Sequence, residues 1–201
     1  MIIIIDYGMG NVGSISNMLK KLGCQSVISS DLEMIKLATK IILPGVGSFD
    51  NGIKNIINYG LLDVLNQKVM IEKIPILGIC LGMQLMLKNS EEGTQNGLDW
   101  IDGVSKRFTE KSLRVPHMGW NQIYHSKESR MFSEYESEKR YYFVHSYYVD
   151  LKDSNDILTT TNYGHEFTSS FEKGNIIGCQ FHPEKSHNYG MSFLRNFLEN
   201  Y

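Results

Sequence analysis

A single cysteine stands between two glycines in an apolar segment, an arrangement that is typical of a nucleophile on a sharp turn. Residues 75–86 read PILGICLGMQLM, with Gly78 and Gly82 each two positions from Cys80. Packing alone does not explain these glycines, because glycine weakens a regular strand or helix. In a G-x-C-x-G turn between a strand and a helix, they relieve crowding around a strained nucleophile, and the Leu81 N–H can donate to an oxyanion. A buried structural cysteine is the commoner fate of a free thiol, and the turn alone leaves both interpretations open.

A thiol nucleophile needs a base, and the base needs an orienting group. Residues 178–185 read GCQFHPEK and offer such a pair in His182 and Glu184. Residues two apart in an extended chain face the same side, and Pro183 stiffens the backbone between them. The alternatives are a strand end with solvated side chains and a zinc site. For zinc, Cys179 and His182 lack a second ligand pair at suitable spacing.

A glycine-containing loop follows another predicted strand. Residues 43–49 read LPGVGSF, so the backbone at Val46 and Gly47 is free to approach a substrate oxygen. The C-terminal ends of parallel strands are where α/β folds place their sites. By itself the segment is also compatible with a plain loop.

The N-terminus carries a pattern from another functional class. Gly8, Gly10 and Gly13 match G-x-G-x-x-G between a strand and a helix, and Asp31 lies near the position of a ribose-binding acid. A dinucleotide-binding module is therefore an alternative. A tight strand-to-helix turn is favoured over it, since residues 6 and 7 interrupt the passage from apolar strand into glycines and little chain remains for a substrate domain.

Periodicity indicates which elements position these residues. Predicted strands at 2–6, 25–29, 40–44 and 74–79 alternate with helical segments at 14–22, 49–73 (broken near residues 59 and 60) and 81–89, which is typical of βαβ units. Further β-type runs lie at 104–108, 120–125, 141–149, 157–163, 167–171 and 176–182, before a helix at 190–200, and the segments 91–99 and 126–139 are predicted loops. We expect one α/β domain over residues 1–201. Its central, mostly parallel sheet would be flanked by helices, with an additional antiparallel or mixed β part in the C-terminal half.

Composition narrows the classes of partner and compartment. Charged residues are 21%, hydrophobic residues 42% and the net charge is −2, with no basic stripe, so neither nucleic acid nor a membrane is expected as a partner. No apolar run approaches the ~20 residues of a membrane span, and the first residues do not form a signal peptide. Cys24, Cys80 and Cys179 are an odd number without paired spacing, so we expect no disulfide framework and a cytoplasmic protein.

Taken together, these segments resemble the class I (triad) glutamine amidotransferases, and more closely the glutaminase subunits of imidazole glycerol phosphate synthase. GICLGMQLM and QFHPE mark the superfamily, whereas PGVGSF, PHMGWN and YFVHSYY are similar to this subfamily. The matching segments extend from the first residues to the last helix. The resemblance therefore implies the class I glutamine amidotransferase fold for the whole chain.

The resemblance also implies roles for single residues. Cys80 would attack the carboxamide of L-glutamine to form a γ-glutamyl thioester, His182 would carry the proton that releases ammonia, and Glu184 would orient His182. The oxyanion hole would use the Leu81 amide and one from Val46 or Gly47. No metal or other cofactor is implied. The candidates for contacting glutamine are Gln84, His145, Ser146 and Tyr147.

In this family, ammonia passes to a (β/α)₈ cyclase subunit in a heterodimer. The cyclase uses it to make imidazole glycerol phosphate and AICAR, in histidine biosynthesis. The segments that lie near the interface in the family place Asn11, Met118, Trp120 and Lys185 there. Gly13 departs from the family pattern, because relatives often carry a larger or basic residue at this position. A second kind of subunit therefore stays open as the acceptor of ammonia. Similar paralogues resemble ammonia suppliers for sugar amidotransferases in surface-polysaccharide synthesis.

Overall fold

The computed structural model describes residues 1–110, 113–132 and 139–201. Within these residues there are six α-helices, a π-helical turn at Gln67–Ile71 and short 3₁₀ turns at Ser154–Asp156 and Pro183–Lys185. The helices are α1 (Val12–Lys21), α2 (Leu32–Lys36), α3 (Phe49–Asn58), α4 (Leu61–Asn66), α5 (Leu81–Leu85) and α6 (His187–Asn200). No helix among the described residues is long and apolar enough to cross a membrane.

The strands form one large mixed sheet. They are β1 (Ile2–Ile5), β2 (Ser26–Ser29), β3 (Lys40–Gly45), β4 (Ile76–Cys80), β5 (Leu87–Ser90), β6 (Ile101–Arg107), β7 (His117–His125), β8 (Lys139–His145), β9 (Tyr147–Leu151), β10 (Ile157–Tyr163), β11 (His165–Lys173) and β12 (Ile176–Cys179). The main path runs β2-β1-β3-β4-β12-β11-β10-β7-β8, and β5, β6 and β9 form a branch that joins β11.

Pairing within the sheet changes character along the chain. The strands β2, β1, β3, β4 and β12 are parallel neighbours, whereas β11, β10, β7 and β8 continue the sheet by antiparallel pairing. The predicted α/β architecture, a mostly parallel centre with an antiparallel extension in the C-terminal half, is confirmed.

The inner parallel strands β1, β4 and β12 contain only apolar residues and glycine because both faces of the sheet are covered there. Ile3 and Ile5 of β1 belong to one buried cluster, and Ile2 and Ile4 belong to the other. Successive strand residues point to opposite faces, so a strand buried on both sides loses the polar alternation of a surface strand. This central part of the sheet is a rigid support for the loops at its C-terminal edge.

Two predicted elements were wrong in extent. The helix predicted at 81–89 ends at Leu85, since the following loop takes over its carbonyl groups: the N–H of Leu98 donates to the Leu85 oxygen and that of Asp99 to the Leu87 oxygen. Residues 87–90 instead form β5 beside β6. The strand predicted at 141–149 is interrupted at Ser146, whose carbonyl accepts from Phe108 N, and β8 and β9 pair with different strands.

Two shorter segments also differ from the prediction. The strand predicted at 176–182 ends at Cys179 and leads into the turn Pro183–Lys185. Helix α2 was not predicted; it is five residues long and begins after Asp31, whose side chain accepts from Met34 N. Of the loop predicted at 126–139, residues 133–138 lie outside the described residues.

Candidate active site

Cys80 occupies a strained backbone conformation where β4 meets α5. It is the last residue of the strand and precedes the first helical residue, with φ 54° and ψ −109°. A non-glycine residue with such angles costs roughly 1–3 kcal/mol, and residues of this kind cluster at functional sites. The structure thus has the sharp strand-to-helix turn that the sequence predicts for a nucleophile.

The two flanking glycines are required by close backbone approach. A Cβ atom on Gly78 would lie 2.8 Å from the carbonyl oxygen of Gly82. A Cβ atom on Gly82 would lie 1.8 Å from the carbonyl oxygen of Leu43 on β3. The first glycine therefore lets the turn close on itself, and the second lets α5 start against the neighbouring strand that leads to the Val46–Gly47 loop.

His182 and Glu184 form a buried pair, by a route that differs from the one predicted. His182 has extended angles, φ −102° and ψ 97°, but Glu184 lies in the 3₁₀ turn rather than further along a strand. Nδ1 of His182 donates to Oε1 of Glu184 at 2.8 Å, and each side chain is 2% exposed. The proton on Nδ1 is thereby fixed, which makes Nε2 the ring atom that is available for proton transfer.

The charge on His182 is set by its surroundings. Burial lowers the pKa of the imidazole, but the Cys80 sulfur and the Glu184 carboxylate outweigh burial and raise it to about 10. Among the described residues, the buried Nε2 of His182 has no hydrogen-bond partner of ordinary geometry. The arrangement favours the protonated, imidazolium form of His182 at neutral pH.

A pocket of about 510 Å³ opens in front of Cys80. It brings together all of the residues predicted for the oxyanion hole and for glutamine contacts, along with one predicted for the partner interface. Those in its lining are Val46, Gly47, Leu81, Gln84, His145, Ser146, Tyr147 and Lys185. Gly47 has φ 114°, a conformation that favours glycine. Which amide completes the oxyanion hole, and which side chains touch the substrate, stay predictions.

The other predicted interface residues lie outside this pocket. Met118 and Trp120, on β7, are 62% and 45% exposed, and the indole of Trp120 stacks on His187 with ring centroids 5.6 Å apart. Asn11 caps α1 by accepting from Ser14 N. These side chains are accessible from solution, and their role at an interface stays a prediction.

Two polar residues at the site were missed by the sequence analysis. Glu92 lines the pocket, and its Oε2 accepts from Phe49 N at 2.8 Å. Gln180 is fully buried, and its Nε2 lies 3.6 Å from the Cys80 sulfur. The sequence predicts only a loop at Glu92, and the QFHPE motif by itself gives Gln180 no role. The position of Gln180 two residues before His182 was the signal that could have identified it.

The N-terminal glycine motif is a packing turn. A Cβ atom on Gly10 would lie 3.1–3.2 Å from Pro44 and Gly45, whereas Gly13 faces open space and has no need to be small. Asp31 is occupied as the cap of α2. The third glycine of a dinucleotide fingerprint serves close helix packing, so this geometry does not favour that alternative. Among the described residues, no group of three or more His, Cys, Asp and Glu side chains is placed to hold a metal ion.

Comparison with known proteins agrees with the geometry. The family profile described as "Glutamine amidotransferase class-I" matches residues 3–201. Imidazole glycerol phosphate synthase subunit HisH 2 of Methanococcus maripaludis is 52% identical over 200 residues, and the subunit of the same name from Pseudomonas aeruginosa is 49% identical, in both cases covering 99% of each chain.

Solved structures share the fold at low identity. A crystal structure of glutamine amidotransferase superposes with a TM-score of 0.77 at 18% identity, covering 98% of this chain and 97% of the other. The structure of PurLQS from Thermotoga maritima superposes with a TM-score of 0.75 at 16% identity, covering 99% and 97%. The chain therefore belongs to the class I glutamine amidotransferase family and, within it, to the HisH subunits of imidazole glycerol phosphate synthase.

Proposed function

We propose that residues 1–201 act as a single glutaminase domain, the subunit of imidazole glycerol phosphate synthase that supplies ammonia in histidine biosynthesis. One observation carries this proposal: Cys80, which lines the pocket, interacts with the buried His182–Glu184 pair, about a hundred residues away in sequence. The relatives with 52% and 49% identity bear the name of that subunit.

The reaction follows from this geometry. The Cys80 thiolate attacks the carboxamide carbon of glutamine, and the resulting oxyanion accepts from Leu81 N–H and from an amide at Val46 or Gly47. The imidazolium of His182 gives the Nε2 proton to the nitrogen, the C–N bond breaks and ammonia leaves a γ-glutamyl thioester. His182 then accepts a proton from water, whose oxygen attacks the thioester. The products are glutamate and the regenerated thiol.

The pocket offers groups for the amino-acid end of the substrate. The Glu92 carboxylate and the amide oxygen of Gln84 are suited to accept from an α-ammonium group, and the Lys185 ammonium is suited to an α-carboxylate. The backbone from Val144 to Tyr147 lines the same pocket and provides further polar groups near the sulfur. L-glutamine is therefore the substrate that we assign to this site.

The acceptor of ammonia is a cyclase subunit in a heterodimer. Ammonia released into water would be mostly protonated and would lose its nucleophilicity, so a partner must receive it close to Cys80. The surface around Met118 and Trp120 supplies exposed aromatic and sulfur-containing side chains, which are typical anchors of an interface. A partner that aligns the amide at Val46 or Gly47 would switch on hydrolysis, because one oxyanion donor is worth about 3 kcal/mol.

The free thiols fit a reducing compartment. Cys24, Cys80 and Cys179 are all unpaired, and Cys80 must be a thiol to react. We accordingly assign the protein to the cytoplasm.

Reconstitution with each class of acceptor tests the proposal. Glutamine hydrolysis and product formation are measured for the protein alone, with a cyclase subunit and its ligand, and with a sugar amidotransferase. We expect slow hydrolysis alone, at least tenfold faster hydrolysis with the cyclase, and glutamine-dependent formation of imidazole glycerol phosphate. Glutamine-dependent product only with the sugar amidotransferase would reassign the acceptor. Equal hydrolysis with and without the cyclase would refute partner activation.

A further inference from the structure

The side chain of Gln180 is buried in a chain of hydrogen bonds that ends at the nucleophile. It is 0% exposed. Its Oε1 accepts from Gln84 Nε2 at 2.9 Å, and its Nε2 lies 3.6 Å from the Cys80 sulfur. A buried amide is costly unless both its ends are satisfied, and here one end is satisfied by the sulfur.

The direction of this chain is fixed by a group that can only accept. The carbonyl oxygen of Tyr147 lies 3.1 Å from the Gln84 amide, so the nitrogen of Gln84 must face it. That same nitrogen then donates to the oxygen of Gln180. The opposite end of Gln180, which faces Cys80, is therefore its N–H₂ group and not its oxygen.

The Cys80 sulfur has a second polar neighbour, which favours the protonated thiol rather than the thiolate. The carbonyl oxygen of Val144 lies 3.9 Å from the sulfur and can only accept from a thiol S–H. The Gln180 N–H can only donate, and donors stabilise an anion. When the thiol proton passes to His182, the contact with Val144 loses its proton and the contact with Gln180 strengthens.

We propose that Gln180 is a catalytic residue of this glutaminase, donating a hydrogen bond that stabilises the Cys80 thiolate and fixes the direction of the sulfur. Gln84 and the Tyr147 carbonyl act as positioning groups that hold the amide of Gln180 in the donor orientation. The inference deepens the proposed function and rests on it for the identity of the reaction, but the contact with the sulfur can be measured without glutamine.

Among the described residues, ionisable side chains that interact with the sulfur include His182, Tyr7 and Cys179. Tyr7 is remote from residue 180 in sequence, whereas Cys179 and His182 flank it, and all three side chains are retained when residue 180 is replaced. A change in the ionisation of Cys80 on substitution of Gln180 therefore reports on the amide itself.

The test is the pH dependence of Cys80 alkylation by iodoacetamide, followed on the Cys80 peptide by mass spectrometry. Gln180→Met keeps the length of the side chain but removes the donor. We expect its alkylation midpoint to rise by about one pH unit, which is a tenfold loss of thiolate at a given pH. Gln180→Glu places a carboxylate at the sulfur and should raise the midpoint further. Gln122→Met, on β7 and outside the pocket, is the matched control and should leave the midpoint unchanged.

In the complex with the cyclase, Gln180→Met should lower kcat for glutamine roughly tenfold while KM changes less. An alkylation midpoint for Gln180→Met within about 0.3 pH unit of the wild-type value would overturn the proposal. If the variants do not fold, the side-chain amide resonance of Gln180 in the wild-type protein serves instead: it should titrate with the midpoint of Cys80, and a pH-independent resonance would equally overturn the proposal. Alkylation requires neither glutamine nor cyclase, so failure of the glutaminase assignment would leave these midpoints interpretable.

Discussion

Nδ1 of His117 lies 2.9 Å from Nε2 of His145, so two buried imidazoles hydrogen-bond directly to each other. Nδ1 of His145 lies 2.7 Å from the carbonyl oxygen of Tyr147, which can only accept a hydrogen bond. His145 thus carries its proton on Nδ1 and accepts from His117 at Nε2, and both rings are neutral. Burial lowers the pKa of His117 to about 4 and that of His145 to about 3.

This pair should make the protein lose stability in acid. In the unfolded chain both histidines bind protons near pH 6.5, whereas in the folded protein His145 and His117 stay neutral until about pH 3–4. The free energy of unfolding should therefore fall as pH drops from 6.5 toward 4, by roughly 1 kcal/mol per pH unit for each histidine. Urea unfolding at several pH values across this window measures the slope.

Substitution separates this effect from general acid sensitivity. His117→Gln and His145→Gln should each flatten the slope, whatever their effect at pH 7. His187→Asn, at an exposed histidine, should leave it unchanged. His182 does not affect this slope, because its pKa is raised. Its contribution to the free energy of unfolding is complete below pH 6.5 and is lost as pH rises through about 10. Identical slopes in all the proteins would contradict the pairing.

Gly82→Ala should be strongly destabilising. The added methyl group would lie 1.8 Å from the carbonyl oxygen of Leu43, which is backbone and cannot rotate away. We expect a loss of roughly 3 kcal/mol in the free energy of unfolding, with loss of glutaminase activity as the turn around Cys80 shifts. Gly13→Ala is the matched control, since open space surrounds it within α1, and it should be neutral or stabilising by about 0.5 kcal/mol. Similar melting temperatures for the two variants would argue against this packing.

Glu184→Gln should retain the hydrogen bond to His182 but remove the charge. Without the carboxylate the imidazolium loses one of the two interactions that raise its pKa, and the proton needed by departing ammonia is less available. We predict a fall in kcat of about 10²-fold with a smaller change in KM. Steady-state kinetics of the complex provide the measurement. An unchanged kcat would remove Glu184 from the proposed mechanism.

Trp120→Ala should weaken binding to the cyclase. Its indole is 45% exposed and is held by stacking on His187, so little reorganisation is needed for it to serve as an anchor. Loss of such an anchor commonly costs 1–3 kcal/mol, and we expect Kd to rise about tenfold or more in calorimetry. Tyr124→Ala alters another exposed aromatic on β7 and is the control. Equal effects of the two substitutions would place the interface elsewhere.

Local sequence patterns were sufficient to predict the fold class and the sharp turn at Cys80. The inner parallel strands β1, β4 and β12 are apolar on both faces, and the flanking glycines of Cys80 make the close backbone contacts expected at a sharp strand-to-helix turn. The predicted helix after Cys80 was too long because a loop more than ten residues later captures its carbonyl groups. Short-range periodicity contains no information about such competition.

The polar network around the site was harder to predict. Gln180 and Gln84 are ninety-six positions apart, and their hydrogen bond depends on β12 lying beside β4. His117 and His145 meet because β7 and β8 pair in a register that places them opposite each other. Side-chain type and spacing identified Cys80 as a candidate nucleophile, but long-range strand pairing decides which amides and imidazoles surround it.

Labelling with a glutamine-analogue electrophile tests the central claim most directly, that Cys80 attacks the carboxamide of glutamine. The complex is treated with a diazoketone analogue of glutamine, digested, and mapped by mass spectrometry. The account predicts a single adduct on Cys80, prevented by excess glutamine and absent in Cys80→Ala, while Cys24→Ala is labelled like wild type. An adduct on Cys24 or Cys179 instead, or continued hydrolysis of glutamine by Cys80→Ala, would contradict it.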